Sequence, residues 1–116
     1  MVPDADTPLL KRICKNIWSS GVEEVKAVHA QLCRLETRCA AGIPLANSEA
    51  MRRHLEALRR YSHDAVTSIS RLGPGLSYMN ASPAQMNTCN NWLADAMNTD
   101  AMNQTKIAAI ESEWNL

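Results

Sequence analysis

The sequence predicts an all-α fold, an up-and-down four-helix bundle with a short N-terminal helical appendage, and three observations carry that expectation. The first is the stretch from Asn47 to Leu72, where Met51, Leu55, Leu58, Tyr61, Ala65, Val66, Ile69 and Leu72 recur in steps of three and four. That spacing puts them on one helical stripe and leaves Arg52, Arg53, Glu56, Arg59 and Arg60 mostly on the other side. The second is composition. With no phenylalanine and 4% aromatic residues, the core must be built from Leu, Ile, Val, Met and Ala, which suits helices better than a sandwich or barrel. The third is punctuation: the breaks between periodic segments are short, so consecutive helices should be antiparallel neighbours.

Each element follows from local signals. Thr7-Pro8 reads as a cap with a first-turn proline, and Leu9, Leu10, Ile13, Cys14, Ile17 and Trp18 give the apolar face of the appendage, residues 1–20. Ser19-Ser20-Gly21 interrupts that helix, and Ser20 with Glu23 makes a capping box that opens the bundle, residues 21–116. Val22, Val25, Val28, Leu32, Leu35 and Cys39 form the next stripe, which ends at Gly42-Ile43-Pro44. Asn47 or Ser48 caps the helix to Leu72, and Gly73-Pro74-Gly75 stops it. Ser82-Pro83 starts a helix lined by Met86, Cys89, Trp92, Leu93, Ala96 and Met97. Asn98-Thr99-Asp100 reads as a break, followed by a last amphipathic stretch with Ile107, Ile110 and Trp114.

Composition also narrows function. Twelve basic and twelve acidic residues cancel, whereas duplex-binding domains carry a positive excess, so nucleic acid is not expected as a partner. No apolar run reaches the length of a membrane span, so no membrane partner is expected either. The start, MVPDADTPLLKRIC, lacks the basic and apolar regions of a signal peptide.

Chemistry is sparse. Glycine-rich phosphate loops, H-E-x-x-H and G-x-S-x-G are absent. His63 and Asp64 are adjacent on a helix and point about 100° apart. Three scattered histidines read as structural, Met79, Met86, Met97 and Met102 as core filler, and the arginines of the Asn47–Leu72 helix as a solvated face or a docking patch. His29 and Cys33 lie four apart on one face, where a metal could bridge them, but no C-x-x-C pair supports a zinc site. The expectation is a non-enzyme without cofactor or metal. Cys14, Cys33, Cys39 and Cys89 could be small buried residues or up to two bridges, with the pairing open.

Two segments carry a resemblance. Ala57 to Val66, A-L-R-R-Y-S-H-D-A-V, is similar to the second bundle helix of the plant invertase and pectin methylesterase inhibitor family, with Tyr61, Asp64, Ala65 and Val66 matching and Ala57 where that family has a cysteine. Asn90 to Asp100, N-N-W-L-A-D-A-M-N-T-D, is similar to the family's W-L-S-A-A-L-T-N segment through Trp92, Leu93 and Ala96. The cysteine expected after it is replaced by Met102 or Asn103, so both halves of one family disulfide are missing together. Near the start, L-L-K-R-I-C-K-N resembles the family's first cysteine helix, but its partner cysteine is not there.

The resemblance implies a diverged or truncated family member: a secreted, cell-wall, non-catalytic inhibitor that docks on a pectin methylesterase, or on an acid invertase, and blocks the substrate cleft. The alternative is a generic helical interaction module, cytoplasmic in that case. Since the apolar stripes are committed to the core, the contact surface should be polar, with Arg53, Arg60, His63 and Asp64 on the middle helix and Asn91, Asp95 and Asn98 on the Trp-Leu helix and its end. Glycosylation at Asn80-Ala81-Ser82 or Asn103-Gln104-Thr105 would favour the secreted reading.

Overall fold

The computed structural model describes residues 7–71 and 82–116, with the side chains of 7–15, 17 and 18 outside the description. The expected Gly73-Pro74-Gly75 stop, Leu72, Met79, Asn80 and Ala81 lie outside the described residues, as do the apolar side chains of the expected appendage. Three helices form the rest: α1 (Thr7–Ala40), α2 (Ser48–Ser70) and α3 (Pro83–Glu113). All described regular structure is helical.

Side-chain pairs set the directions. Val25 and Ser62 both meet Asn103, Glu36 meets Lys106, and Arg59 meets Glu111. As α1 rises from Val25 to Glu36, α3 rises from Asn103 to Glu111 while α2 descends from Ser62 to Arg59. The bundle therefore runs up, down and up, with α1 parallel to α3.

The expected four helices and appendage are not what the described residues build, and both expected breaks fall inside continuous helices. The boundary after residue 20 lies within α1, which runs 34 residues, about 51 Å at roughly 1.5 Å per residue. Gly21 is not a break but a crossing point. A β-carbon on it would come within 2.6 Å of Ile69 Cγ1 on α2, so only a bare backbone lets the two helices approach this closely. The Ser20–Glu23 capping box is thus set aside, because residue 20 is mid-helix. Asn98-Thr99-Asp100 lies within the 31 residues of α3. There Asn98 faces solvent, Thr99 Oγ1 donates to the Asp95 carbonyl at 2.9 Å, and Asp100 turns inward to partners on α2. Each polar group finds a partner without ending the helix.

Local capping signals agree with the structure. Asn47 Oδ1 accepts from the Ala50 amide at 3.0 Å. At Ser82 the hydroxyl accepts from the Gln85 amide at 3.1 Å, and Gln85 Oε1 accepts from the Ser82 amide at 2.8 Å, a complete capping box ahead of Pro83. Gly42 takes the left-handed conformation (φ 70°) just past the end of α1. Trp114 Nε1 donates to the Ile43 carbonyl at 3.2 Å and ties the end of α3 to the α1–α2 turn.

Among the described residues the interior is two apolar clusters rather than one core. Val28, Leu32, Leu35, Leu55, Leu58, Ile107 and Ile110 fill the part near the α1–α2 turn. Val25, Ala65, Val66, Ile69 and Ala96 fill the other, with Val22, Met86, Cys89, Trp92 and Leu93 half-buried around them. Leu93 is therefore a rim residue of the second cluster. Three residues expected inside are not: Tyr61, Met97 and Met102 are each about half exposed. They sit at the margins of their stripes, and the arc each helix buries between two neighbours is too narrow to reach them.

Candidate functional site

Between the two clusters lies a polar layer to which all three helices contribute. Asn103 of α3 and Ser62 of α2 are fully buried. Asn103 Nδ2 donates to the Val25 carbonyl of α1 at 3.2 Å and to Ser62 Oγ at 3.0 Å. Ser62 Oγ in turn donates to Asp100 Oδ1 at 2.6 Å, which also accepts from Gln104 Nε2 at 3.1 Å. Gln104 reaches on to the Arg59 carbonyl at 3.2 Å. Leaving groups like these buried and unpaired would cost about 1–3 kcal/mol each, so their mutual satisfaction is what lets the layer exist.

The layer continues outward through α1. Asn103 Oδ1 lies 3.2 Å from His29 Nδ1, and His29 Nε2 lies 3.5 Å from Cys33 Sγ. Directions along this chain are determined. A carbonyl only accepts, so the Val25 contact fixes the Asn103 amide with nitrogen inward and oxygen toward His29. That oxygen can only accept, so Nδ1 carries hydrogen. In the neutral ring Nε2 is then the acceptor, and the Cys33 thiol donates to it. A half-buried thiol, an imidazole and an amide thus form a relay with the polarity of thiol–imidazole–amide sites.

Charged pairs flank this layer. Lys106 Nζ bonds Glu36 Oε1 at 2.6 Å, and that bond raises the lysine above its ordinary range. Arg59 bridges Glu56 on its own helix and Glu111 on α3. Burial works against the Arg59 charge, but the bonds to the two carboxylates outweigh it and raise its pKa. The Arg59 hydrogen bond, with Arg60 adding to it, holds the Glu56 carboxyl below the usual carboxylate range. Toward the end of α1, burial first and then the Glu113 and Glu36 carboxylates push the Cys39 thiol up. Tyr61 is raised by the carboxylate of Glu24 across the α1–α2 seam.

All the residues expected to meet a partner, Arg53, Arg60, His63, Asp64, Asn91, Asp95 and Asn98, are exposed. They do not form one patch. Arg53, Arg60 and Asp64, spaced seven and four apart, share the outward face of α2, where Arg53 and Arg60 line a shallow groove with Glu49, Arg52, Glu56 and Ala57. His63 turns from them toward α3, its Nδ1 3.8 Å from Asp100 Oδ2. Asp95 lines a different groove of about 280 Å³ between α1 and α3, with Ser19, Val22, Glu23, Lys26 and Trp92.

Of the residues that carry the interior polar site, Ser62 has no reading of its own in the sequence, while His29 and Cys33 read only as a metal spacing, Asp100 as part of a break, and Asn103 and Gln104 as part of a glycosylation triplet. The available signal was Asn103 itself, which occupies the inward position of the series Ala96, Asn103, Ile107, Ile110. Its burial and bonding also take the Asn103-Gln104-Thr105 triplet out of reach of glycosylation in the folded chain. Among the described residues no group of three or more His, Cys, Asp or Glu is placed to hold a metal ion, and no helix is long and apolar enough to cross a membrane. Compared with known protein families, curated proteins and solved structures, the chain matches none.

Proposed function

We propose that the chain is a non-catalytic helical module that docks on another protein through its polar outer faces. The observation that carries this reading is the outward face of α2. Arg53, Arg60 and Asp64 stand exposed there, on the side of α2 away from Leu55, Leu58, Ala65, Val66 and Ile69, which are buried in the bundle interior. A rigid helix presenting fixed charges of both signs suits a polar interface, in which such charges steer association and fix orientation.

The narrower form of the proposal is an inhibitor that docks on a pectin methylesterase, or on an acid invertase, and blocks its substrate cleft. It rests on the resemblance at Ala57–Val66 and Asn90–Asp100, and with it comes a secreted, cell-wall location. A fourth helix, as in that family's bundle, belongs to the same proposal. Titrating the folded protein into a pectin methylesterase and an acid invertase tests it. Inhibition in one of them, weakened by about 1 kcal/mol or more in Arg60→Ala or Asp95→Ala, supports the inhibitor reading. No inhibition of either at high concentration removes it and leaves the broader docking module. Capture from an extract of a partner whose binding is lost in Arg53→Ala/Arg60→Ala would support that module.

A further inference from the structure

The relay that leaves the bundle interior through His29 ends on a sulfur that no structural role requires. Cys33 is half-buried and carries a free thiol, and its sulfur lies 3.5 Å from an imidazole nitrogen whose ring is anchored through its other nitrogen to a fully buried amide. We propose that Cys33 is a modification site that reacts with small hydroperoxides, with His29 as its proton acceptor and Asn103 as the positioning residue. This is independent of the docking reading, because it draws on none of the outer-face residues.

The geometry sets out the roles. Asn103 is held from two sides, by the Val25 carbonyl and Ser62 Oγ, so it keeps hydrogen on His29 Nδ1, and in the neutral ring it is the acceptor Nε2 that faces Cys33. Two charged groups face this end of the relay, Glu36 from α1 and Lys106 from α3; they bond each other, and Lys106 also feels the Cys33 sulfur. From α2 the group that reaches the relay is the neutral Ser62. The imidazole nitrogen 3.5 Å from the sulfur is the base placed to take the thiol proton as the sulfur attacks.

The step balances without a further reagent. The Cys33 proton passes to His29 Nε2, and the sulfur attacks one peroxide oxygen. An S–O bond forms as the O–O bond breaks, and the leaving oxygen takes the proton back from His29. The thiol is oxidised by two electrons to a sulfenic acid, and the hydroperoxide is reduced to water or an alcohol. Cys39 does not serve as a resolving partner. Six residues along α1 it lies roughly 9 Å further up the axis and on another side of the helix, beyond disulfide reach.

A hydroperoxide's access to a half-buried sulfur needs no deep cavity, which distinguishes this class from bulky substrates. Cys39 supplies the internal comparison. It is also a half-buried thiol of α1, but burial and the carboxylates of Glu113 and Glu36 disfavour its anion.

The test treats the native full chain with hydrogen peroxide and traps sulfenic acid with dimedone, reading each cysteine by peptide mass spectrometry. Cys33 should be trapped about tenfold faster than Cys39 or more, and the two should converge in guanidinium. His29→Gln, which keeps a polar side chain at the rim, should bring Cys33 down to the Cys39 rate while helicity is retained. Nitrogen-15 spectra of the wild type should show the tautomer with hydrogen on Nδ1 at His29, and Asn103→Ala should lose that preference. Equal trapping of Cys33 and Cys39 in the folded protein would overturn the proposal. So would a fast Cys33 whose rate is unchanged in His29→Gln, since accessibility alone would then account for it.

Discussion

The two halves of the interior are built on different principles. Near the α1–α2 turn, Leu32, Leu35, Leu55, Leu58, Ile107 and Ile110 interlock as long aliphatic side chains. Beyond the polar layer the cluster is made of Val25, Ala65, Val66, Ile69 and Ala96, and Gly21 brings the backbone of α1 against Ile69. The first half keeps helices apart and fills the gap. The second lets them approach and relies on half-buried Trp92, Leu93 and Met86 to cover the rim. Stability should therefore be concentrated in the first half, where more apolar surface leaves water.

The sharpest way to break this comparison is Leu55→Ala. Leu55 is fully buried among large neighbours, and its truncation should cost about 2–5 kcal/mol, read from urea unfolding. A loss no larger than that of Ile69→Ala, the same truncation in the other half, would mean that the two halves do not differ. Next in size is the layer between them. Asn103→Ala leaves Ser62, His29 and the Val25 carbonyl each short of a partner and should cost about 1–3 kcal/mol, with the drop in melting temperature as the measure.

Gly21→Ala probes the close approach itself. Overpacking against Ile69 costs about 1–3 kcal/mol, and the better helix propensity of alanine returns up to about 1 kcal/mol. A net destabilisation of about 1 kcal/mol is expected. A rise in melting temperature would show that Ile69 moves aside freely and that the small-residue half is not tightly packed.

The smallest expected effect is electrostatic and belongs to the large-residue half, on whose flank Glu56 and Arg59 sit. The Glu56 pKa is lowered by the Arg59 hydrogen bond. Its contribution is therefore present above the unfolded carboxylate value of about 4.3 and is lost as pH falls through the lower folded value. Unfolding midpoints should fall between neutral pH and pH of about 3, and Glu56→Gln should fall less steeply. Identical acid profiles for the two proteins would remove Glu56 from the account.

What was legible in the sequence was what is local. The caps at Asn47 and Ser82 and the buried stripe of α2 through Leu55, Leu58, Ala65, Val66 and Ile69 depend on residues within a turn or two, and each is where the spacing puts it. The errors at Ser19-Ser20-Gly21 and Asn98-Thr99-Asp100 share one cause. Polar and small residues there look like breaks in the sequence, whereas they serve contacts with a distant helix: Gly21 with Ile69, and Asp100 with Ser62. The relay was hidden for the same reason. His29 and Asn103 are 74 residues apart, and nothing in either neighbourhood announces the other. The expected partner face was legible only as exposure. Whether Arg60 and Asp95 fall on one surface is decided by how α1 and α2 flank α3, which puts them in separate grooves.

The buried Asn103 also sets how the helices are aligned along the bundle axis. Aliphatic stripes with steps of three and four repeat closely enough that a helix displaced by one turn, about 5.4 Å, would still bury its isoleucines against leucine. Such a slide would carry Asn103 away from Ser62 and the Val25 carbonyl and strand it among Ile and Leu side chains. A single inward asparagine thus acts as an indexing pin. It permits one axial setting of α3 against α1 and α2 and penalises the neighbouring settings that packing alone would tolerate.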